Sequence, residues 1–127
     1  MARFMMVFGA HAMDNIPEQD MPDVAEAARA VCKEAIDAGV YFLAAGLEDQ
    51  RASIVAVDGT VTDGTYPDTI GGITIVDVPS RQEALKWASK FAAACRCSQE
   101  VRQLGFDPEL EAMLREPGTR RRRPDEV

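Results

Sequence analysis

The most constraining feature of the sequence is the order of patterns between residues 61 and 88. A β-prone run leads into a loop that ends at Gly71-Gly72, and the alternating run Ile73-Thr74-Ile75-Val76-Asp77-Val78 follows at once. A helical pattern then begins within two or three residues, because Ser80 can cap a helix and Glu83 can complete a capping box. A strand that passes so directly into a helix predicts an α+β domain in which that helix packs back onto its sheet.

The rest of the chain predicts further elements of the same kind. Strands are expected at 3–8, 40–47, 53–57, 60–62, 72–78 and 98–104, and helices from Asp20 or Pro22 to about Gly39, from Ser80 onward, and from Asp107 to about Leu114. The pair Asp58-Gly59 predicts a two-residue hairpin turn with positive φ at both positions. Gly46 predicts a bulge or a close backbone approach.

Apolar residues at spacings of three and four predict the buried face of each long helix. These residues are Val24, Ala27, Ala28, Val31, Cys32, Ala35 and Ile36 in the first helix, and Ala84, Leu85, Trp87, Ala88, Phe91 and Ala92 in the second. The element order β-α-β-β(-β)-α-β is the split βαβ arrangement of ferredoxin-like folds, with both helices on one face of an antiparallel sheet. The other face is then bare and apolar, which predicts a homodimer formed face to face.

Composition restricts the classes of function. No apolar run approaches the roughly 20 residues that span a bilayer, and the apolar stretch before Gly9 is shorter than a signal peptide requires. We therefore expect a cytoplasmic protein without membrane association. The net charge is −7, and because five Arg exceed three acidic residues by two after Leu114, residues 1–114 carry −9. Such an acidic body disfavours nucleic-acid binding, which needs a basic face.

Three cysteines and one histidine limit metal and redox chemistry. Cys95-Arg96-Cys97 lacks the two-residue spacer of a redox pair or a zinc knuckle. Cys32 fits the apolar face of a helix, where a thiol behaves as a small hydrophobic group. We interpret the thiols as structural, and the sequence predicts no metal and no cofactor.

His11 is the only imidazole, and Asp14 follows it by three residues in the loop after the first strand. A carboxylate beside the ring would orient one ring nitrogen, as general acid–base chemistry requires. The alternative interpretation is a solvent-exposed histidine in a surface loop.

A second group of candidates lies around the loop at 63–71. Asp63 and Asp68 bracket Tyr66, and two carboxylates this close can share a proton or hold a ligand. Asp63 can equally bond the backbone of its own turn. Arg51 is a candidate partner for an anionic ligand, or else a solvated residue between two strands.

A series of short motifs resembles the YCII-related family, in the branch named for an Asp-Gly-Pro-Phe loop. The motifs are Met5-Met6-Val7-Phe8-Gly9, Asp37-Ala38-Gly39, Gly46-Leu47, Thr62-Asp63-Gly64, the Gly71-Gly72 strand with Asp77, and Glu83-Ala84-Leu85-Lys86-Trp87-Ala88. The resemblance covers roughly residues 3–102. It implies a ferredoxin-like domain at 1–104 with dimeric α/β-barrel-like packing. Beyond it, Asp107-Pro108-Glu109 predicts a helical extension at 105–116, and the Arg run after Pro117-Gly118 predicts a disordered Arg-rich tail at 117–127.

The resemblance also implies a His–Asp dyad in enzymatic relatives, with the His on the first helix and the Asp near the end of that helix. Asp37 stands at the carboxylate position, but Ala28, about nine residues earlier, stands where the relatives carry His. The segment Thr65-Tyr66-Pro67 replaces the Pro-Phe of the naming motif.

Three functions remain open. The first is a small dimeric ligand-binding or accessory protein, with its ligand between the first helix and the loops at 9–19 and 63–71; its candidate binding residues are Asp37, Arg51, Asp63 and Tyr66. The second is a cofactor-free lyase or isomerase acting on a small, aromatic substrate through His11 with Asp14 or Asp68. The third, by analogy alone, is a structural or regulatory partner of a transcriptional regulator. Ala28 in the dyad position favours the first function.

Overall fold

The computed structural model describes residues 1–47, 52–65 and 69–114. The elements are β1 (Ala2–Gly9), a 3-10 turn (Glu18–Asp20), α1 (Met21–Asp37), β2 (Tyr41–Gly46), β3 (Ser53–Val55), β4 (Val61–Asp63), β5 (Ile70–Val78), α2 (Arg81–Cys95), β6 (Glu100–Gln103) and α3 (Pro108–Leu114). The α+β class predicted from the sequence is therefore confirmed. The predicted tail at 117–127 lies outside the described residues.

Four strands form one antiparallel sheet in the order β2-β5-β1-β6, and β3 and β4 form a separate two-stranded hairpin. In the central pair, Phe4 lies opposite Val76 and Met6 lies opposite Thr74. Because successive strand residues point to opposite faces, this register directs Phe4 and Met6 of β1 and Val76 and Val78 of β5 to the same side of the sheet.

That side of the sheet is covered by α1 and α2. The buried side chains that form the core come from both strands and both helices: Phe4, Met6, Val31, Val76, Val78, Ala84, Ala88 and Phe91. Two residues predicted on the buried helix faces are instead exposed, since Ile36 retains 54% and Leu85 retains 44% of its accessible surface. Each lies at the border of its apolar stripe, where the helix surface turns away from the sheet.

The opposite side of the sheet, termed here the open sheet face, is formed by Met5, Val7, Leu43, Ile73 and Ile75. Neither long helix covers it. The short helix α3 reaches the sheet at one end of this face, where Arg3 donates a hydrogen bond of 3.1 Å to Glu111 Oε1. Arg3 also lies over the ring of Phe42, 4.6 Å from its centroid.

The helix ends follow the predicted capping signals. Gly39 has φ of +75°, and the bonds Gly39 N–Ile36 O and Val40 N–Ala35 O form a Schellman motif that ends α1. The Ser80 hydroxyl accepts a bond of 3.2 Å from the backbone of Glu83. The reciprocal half of the predicted capping box is not formed, because the Glu83 carboxylate accepts from Lys86 Nζ at 3.2 Å instead.

Two predictions about glycines, at Asp58-Gly59 and at Gly46, were wrong in detail. Asp58-Gly59 does lie in a hairpin, but only Gly59 has positive φ (+90°). The bonds Gly59 N–Ala56 O and Ala56 N–Thr60 O define a three-residue loop closed by a glycine. Gly46 is neither bulged nor crowded, since a Cβ there would lie 3.9 Å from the nearest atom. The irregularity of β2 occurs between Tyr41 and Leu43 instead.

Gly71 and Gly72 are required by the aromatic ring of Phe8, which lies directly across from Gly72 in the β1–β5 pair. A Cβ at Gly72 would lie 2.4 Å from that ring, and one at Gly71 would lie 2.9 Å from it. The ring therefore occupies the space that a side chain on β5 would need. The register of the pair shifts immediately afterwards, between Phe8 and Gly9.

We expect Gly72→Ala to lower the free energy of unfolding by about 1–3 kcal/mol, the usual cost of overpacking, as measured by urea denaturation. Gly105→Ala is the matched control, because no atom lies within 4 Å of a Cβ at that position. In the Phe8→Ala background, Gly72→Ala should cost much less, since the ring that it displaces is gone. Equal costs in both backgrounds would contradict this packing explanation.

Candidate functional site

A cleft of about 1390 Å³ lies between α1, the β2 side of the sheet and the β3–β4 hairpin. It opens to solvent beside the turn that follows β1. A ligand was predicted from the sequence at this position, between the first helix and the loops at 9–19 and 63–71. Small-molecule sites are typically concave and largely apolar, with volumes of about 300–1,000 Å³, so this cleft is larger than such a ligand needs.

Six residues of α1 line the cleft, namely Met21, Val24, Ala25, Ala28, Arg29 and Cys32. Spacings of three and four residues among them place them on one side of the helix. Two of the six, Ala25 and Ala28, are alanines, and their small side chains leave room for a guest molecule in the middle of this wall. Ala28, the position at which the resemblance implies a histidine, lies in this wall.

The sheet and α2 supply the deeper part of the cleft, with Phe8, Thr74, Phe91 and Cys95 among its lining residues. Thr74 is the one polar side chain of the described core, with 9% exposure. Its hydroxyl provides a polar group among apolar neighbours, and such a group can orient a bound molecule.

The β3–β4 hairpin forms the outer wall through Ala52, Ser53, Ile54 and Val55. Ser53 Oγ donates to Asp63 Oδ1 at 3.3 Å, which ties the open end of the hairpin together. Asp63, a predicted ligand-binding residue, is therefore engaged across the hairpin with Ser53.

His11 and Asp14 meet at the mouth of the cleft, where both belong to its lining. His11 Nδ1 and Asp14 Oδ2 are 2.8 Å apart, and the two side chains are 88% and 67% exposed. The contact that their spacing predicted is therefore formed, in a turn closed by the bond from Asp14 N to His11 O. Both groups face water, so any proton that they exchange is shared with solvent.

The remaining predicted site residues do not join this pair. Asp37 lies at the far end of α1, accepts two bonds from Lys33 Nζ at 2.7 and 2.9 Å, and is not part of the cleft. Arg51, Tyr66 and Asp68 lie outside the described residues. Neither Arg29 nor Thr74 was predicted as a site residue from the sequence, although Arg29 directly follows Ala28 on the cleft face of α1.

Burial raises the pKa of all three thiols above their usual value, and the pKa of Cys95 is raised further by the neighbouring Cys97 and Cys32. These thiols are protonated at neutral pH and are poor nucleophiles. Cys32 and Cys95 therefore contribute to the cleft as small apolar groups, which agrees with their structural interpretation.

Within residues 1–47, 52–65 and 69–114, no group of three His, Cys, Asp or Glu side chains is placed to hold a metal ion. Over the same ranges, none of the helices combines the length and the apolar character needed to cross a membrane. Comparison with protein-family models gives no match for this sequence, and comparison with curated proteins gives none either.

Proposed function

We propose that this protein is a small, dimeric, ligand-binding protein related to the YCII family, which binds a small molecule with an apolar body in the cleft beside α1. The observation that carries the proposal is the cleft itself, with the space beside Ala25 and Ala28 and its depth lined by aromatic, aliphatic and thiol groups. As part of the same proposal, the chain carries the family motifs, lies in the cytoplasm and has a ferredoxin-like fold. The strand order β2-β5-β1-β6, with two helices on one face, supports that classification.

The binding proposal depends on the small side chain of Ala28. A histidine here would project an imidazole into the cleft, whereas a methyl group leaves apolar space open to a guest. Burial of an apolar ligand surface against such a wall contributes roughly 25 cal/mol per Å² before the entropic cost of association.

We expect unchanged protein to bind 2-naphthol, a neutral aromatic probe, with amide chemical-shift changes at Ala28, Ile54 and Thr74. Ala28→Trp should occupy the apolar space beside α1 and weaken this binding. Ala30→Trp is the matched control, because Ala30 is exposed on the same helix and lies outside the cleft. Amide spectra of the unliganded variants check that both are folded. If 2-naphthol perturbs none of these amides in unchanged protein, the cleft does not bind apolar molecules.

The open sheet face supports the dimeric part of the proposal. Its apolar residues come from three adjacent strands, and Met5 and Ile75 lie opposite each other at its centre. Val7 retains only 8% of its accessible surface and the other four residues are half-buried, so the face is a partly covered apolar patch, and apolar patches commonly mark interfaces. Pairing with the same face of a second copy would bury both patches at once, as a two-fold symmetric interface does.

Ile75→Asp should convert the dimer to a monomer, because it places an unpaired carboxylate in the centre of the proposed interface. The oligomeric state would be measured by sedimentation velocity at micromolar concentration. Val57→Asp serves as the control, since Val57 is fully exposed at the tip of the hairpin. Unchanged protein that sediments as a monomer would refute the dimer.

A second function, a cofactor-free lyase or isomerase, is favoured by one observation, the 2.8 Å contact between His11 Nδ1 and Asp14 Oδ2 at the cleft mouth. Asp14 fixes the ring so that Nε2 is the nitrogen available to a substrate. A molecule that extends from the cleft to its mouth would place a C–H or O–H group within reach of that nitrogen.

The test is turnover of a panel of small aromatic acids and lactones by unchanged protein and by His11→Ala. If the pair acts as a general acid–base catalyst, the variant should lose about 10²–10⁴-fold in kcat, while 2-naphthol binding and the dimer persist. Asp14→Asn should cause a smaller loss, because it keeps the ring but weakens its orientation. Equal rates for unchanged protein and His11→Ala would exclude the enzymatic function for His11.

A further inference from the structure

Arg29 differs from almost every other cation in the described part of the chain, because it has no acidic partner. Six of the eight Lys and Arg side chains in residues 1–47, 52–65 and 69–114 form ion pairs, namely Arg3, Lys33, Lys86, Lys90, Arg96 and Arg102. Only Arg29 and Arg81 do not. This is unexpected in a protein with a net charge of −7, in which acidic side chains are in excess.

The acidic residues near Arg29 do not neutralise it. Asp14, which also lines the cleft, is engaged with His11 at 2.8 Å. Glu26, three residues earlier on α1, forms no ion pair with Arg29, although this spacing permits such pairs on helices. The guanidinium therefore retains its donors, and it does so at a position that lines the cleft.

Arg29 is also the only Lys or Arg among the described residues that line the cleft. The groups beside it are Ala25, Ala28 and Cys32 on α1, so the cation stands at the border of an apolar wall. A single guanidinium presents two parallel N–H donors that match the two oxygens of a carboxylate. A dianionic phosphate would leave half of its charge without a partner here.

We infer that the cleft takes a monocarboxylate with an apolar body, aromatic or aliphatic, whose carboxylate pairs with Arg29 while its body lies against Ala28, Phe8 and Phe91. This inference rests on the proposed function and specifies the ligand class. The Thr74 hydroxyl is the polar group available to the buried end of such a molecule.

The test compares two probes of the same shape, 2-naphthylacetate and its neutral amide 2-naphthylacetamide, by titration calorimetry at pH 7.5 and low ionic strength. The carboxylate should bind about tenfold more tightly than the amide, a typical gain for one charge-assisted hydrogen-bonded pair. Arg29→Gln should remove this preference without weakening amide binding. The preference should also shrink with added salt, because Arg29 is exposed at the rim.

Arg81→Gln is the matched control, since Arg81 is the other cation without an acidic partner and lies outside the cleft lining. It removes the same net charge, so it should leave the preference for the carboxylate unchanged. An equal loss of preference in both variants would overturn the inference, because it would reflect net charge rather than a contact.

The remaining outcomes separate the inference from the function on which it rests. If both probes bind equally well and Arg29→Gln changes nothing, the cleft binds apolar molecules but the carboxylate assignment is wrong. If neither probe binds unchanged protein, the binding function itself fails. Loss of amide binding in Arg29→Gln would also overturn the inference, because it would assign Arg29 a role in shaping the cleft.

Discussion

The pairing of β1 with β5 is the interaction on which the rest of the structure depends. These are the two central strands, and their register puts Phe4, Met6, Val76 and Val78 under the helices, where all four are fully buried. Each such side chain contributes about 1.5–3 kcal/mol through burial. A slip of one residue would turn these side chains to the opposite face and remove the surface on which α1 and α2 pack.

The same pair fixes the position of the cleft. Where β5 begins, its glycines accept the ring of Phe8, and the chain after β1 is held to β5 by the bond from Ala10 N to Thr69 O. On the other side, Leu47 N donates to Gly71 O and holds the end of β2. The turn that carries His11 and the strand that leads to the hairpin are therefore attached to one short stretch of β5. Changes in the packing of Phe8 against β5 should consequently alter the structure at the mouth of the cleft as well as the free energy of unfolding.

Much of the fold followed from local patterns, and much of the site did not. Helix ends were predictable at Gly39 and Ser80 because capping depends on residues only a few positions apart. The exposure of Ile36 and Leu85 was not, because it depends on how far the sheet extends beneath each helix. The His11–Asp14 contact lies within one turn and could be predicted from spacing. Arg29 could not be distinguished from other helical cations, since the absence of a partner is a property of the folded surface.

The chemistry of the cleft lining favours binding over catalysis. Catalysis by proton transfer needs a group that titrates near neutral pH and is held close to the substrate. Among the described lining residues, the one imidazole lies at the mouth in contact with water, and the two thiols are kept protonated because burial raises their pKa. The groups that remain are apolar side chains, the hydroxyls of Ser53, Thr65, Thr69 and Thr74, the Asp14 carboxylate and one guanidinium. Such a set can select a molecule by shape and by a single negative charge, while reactive chemistry would be confined to whatever part of that molecule reaches His11.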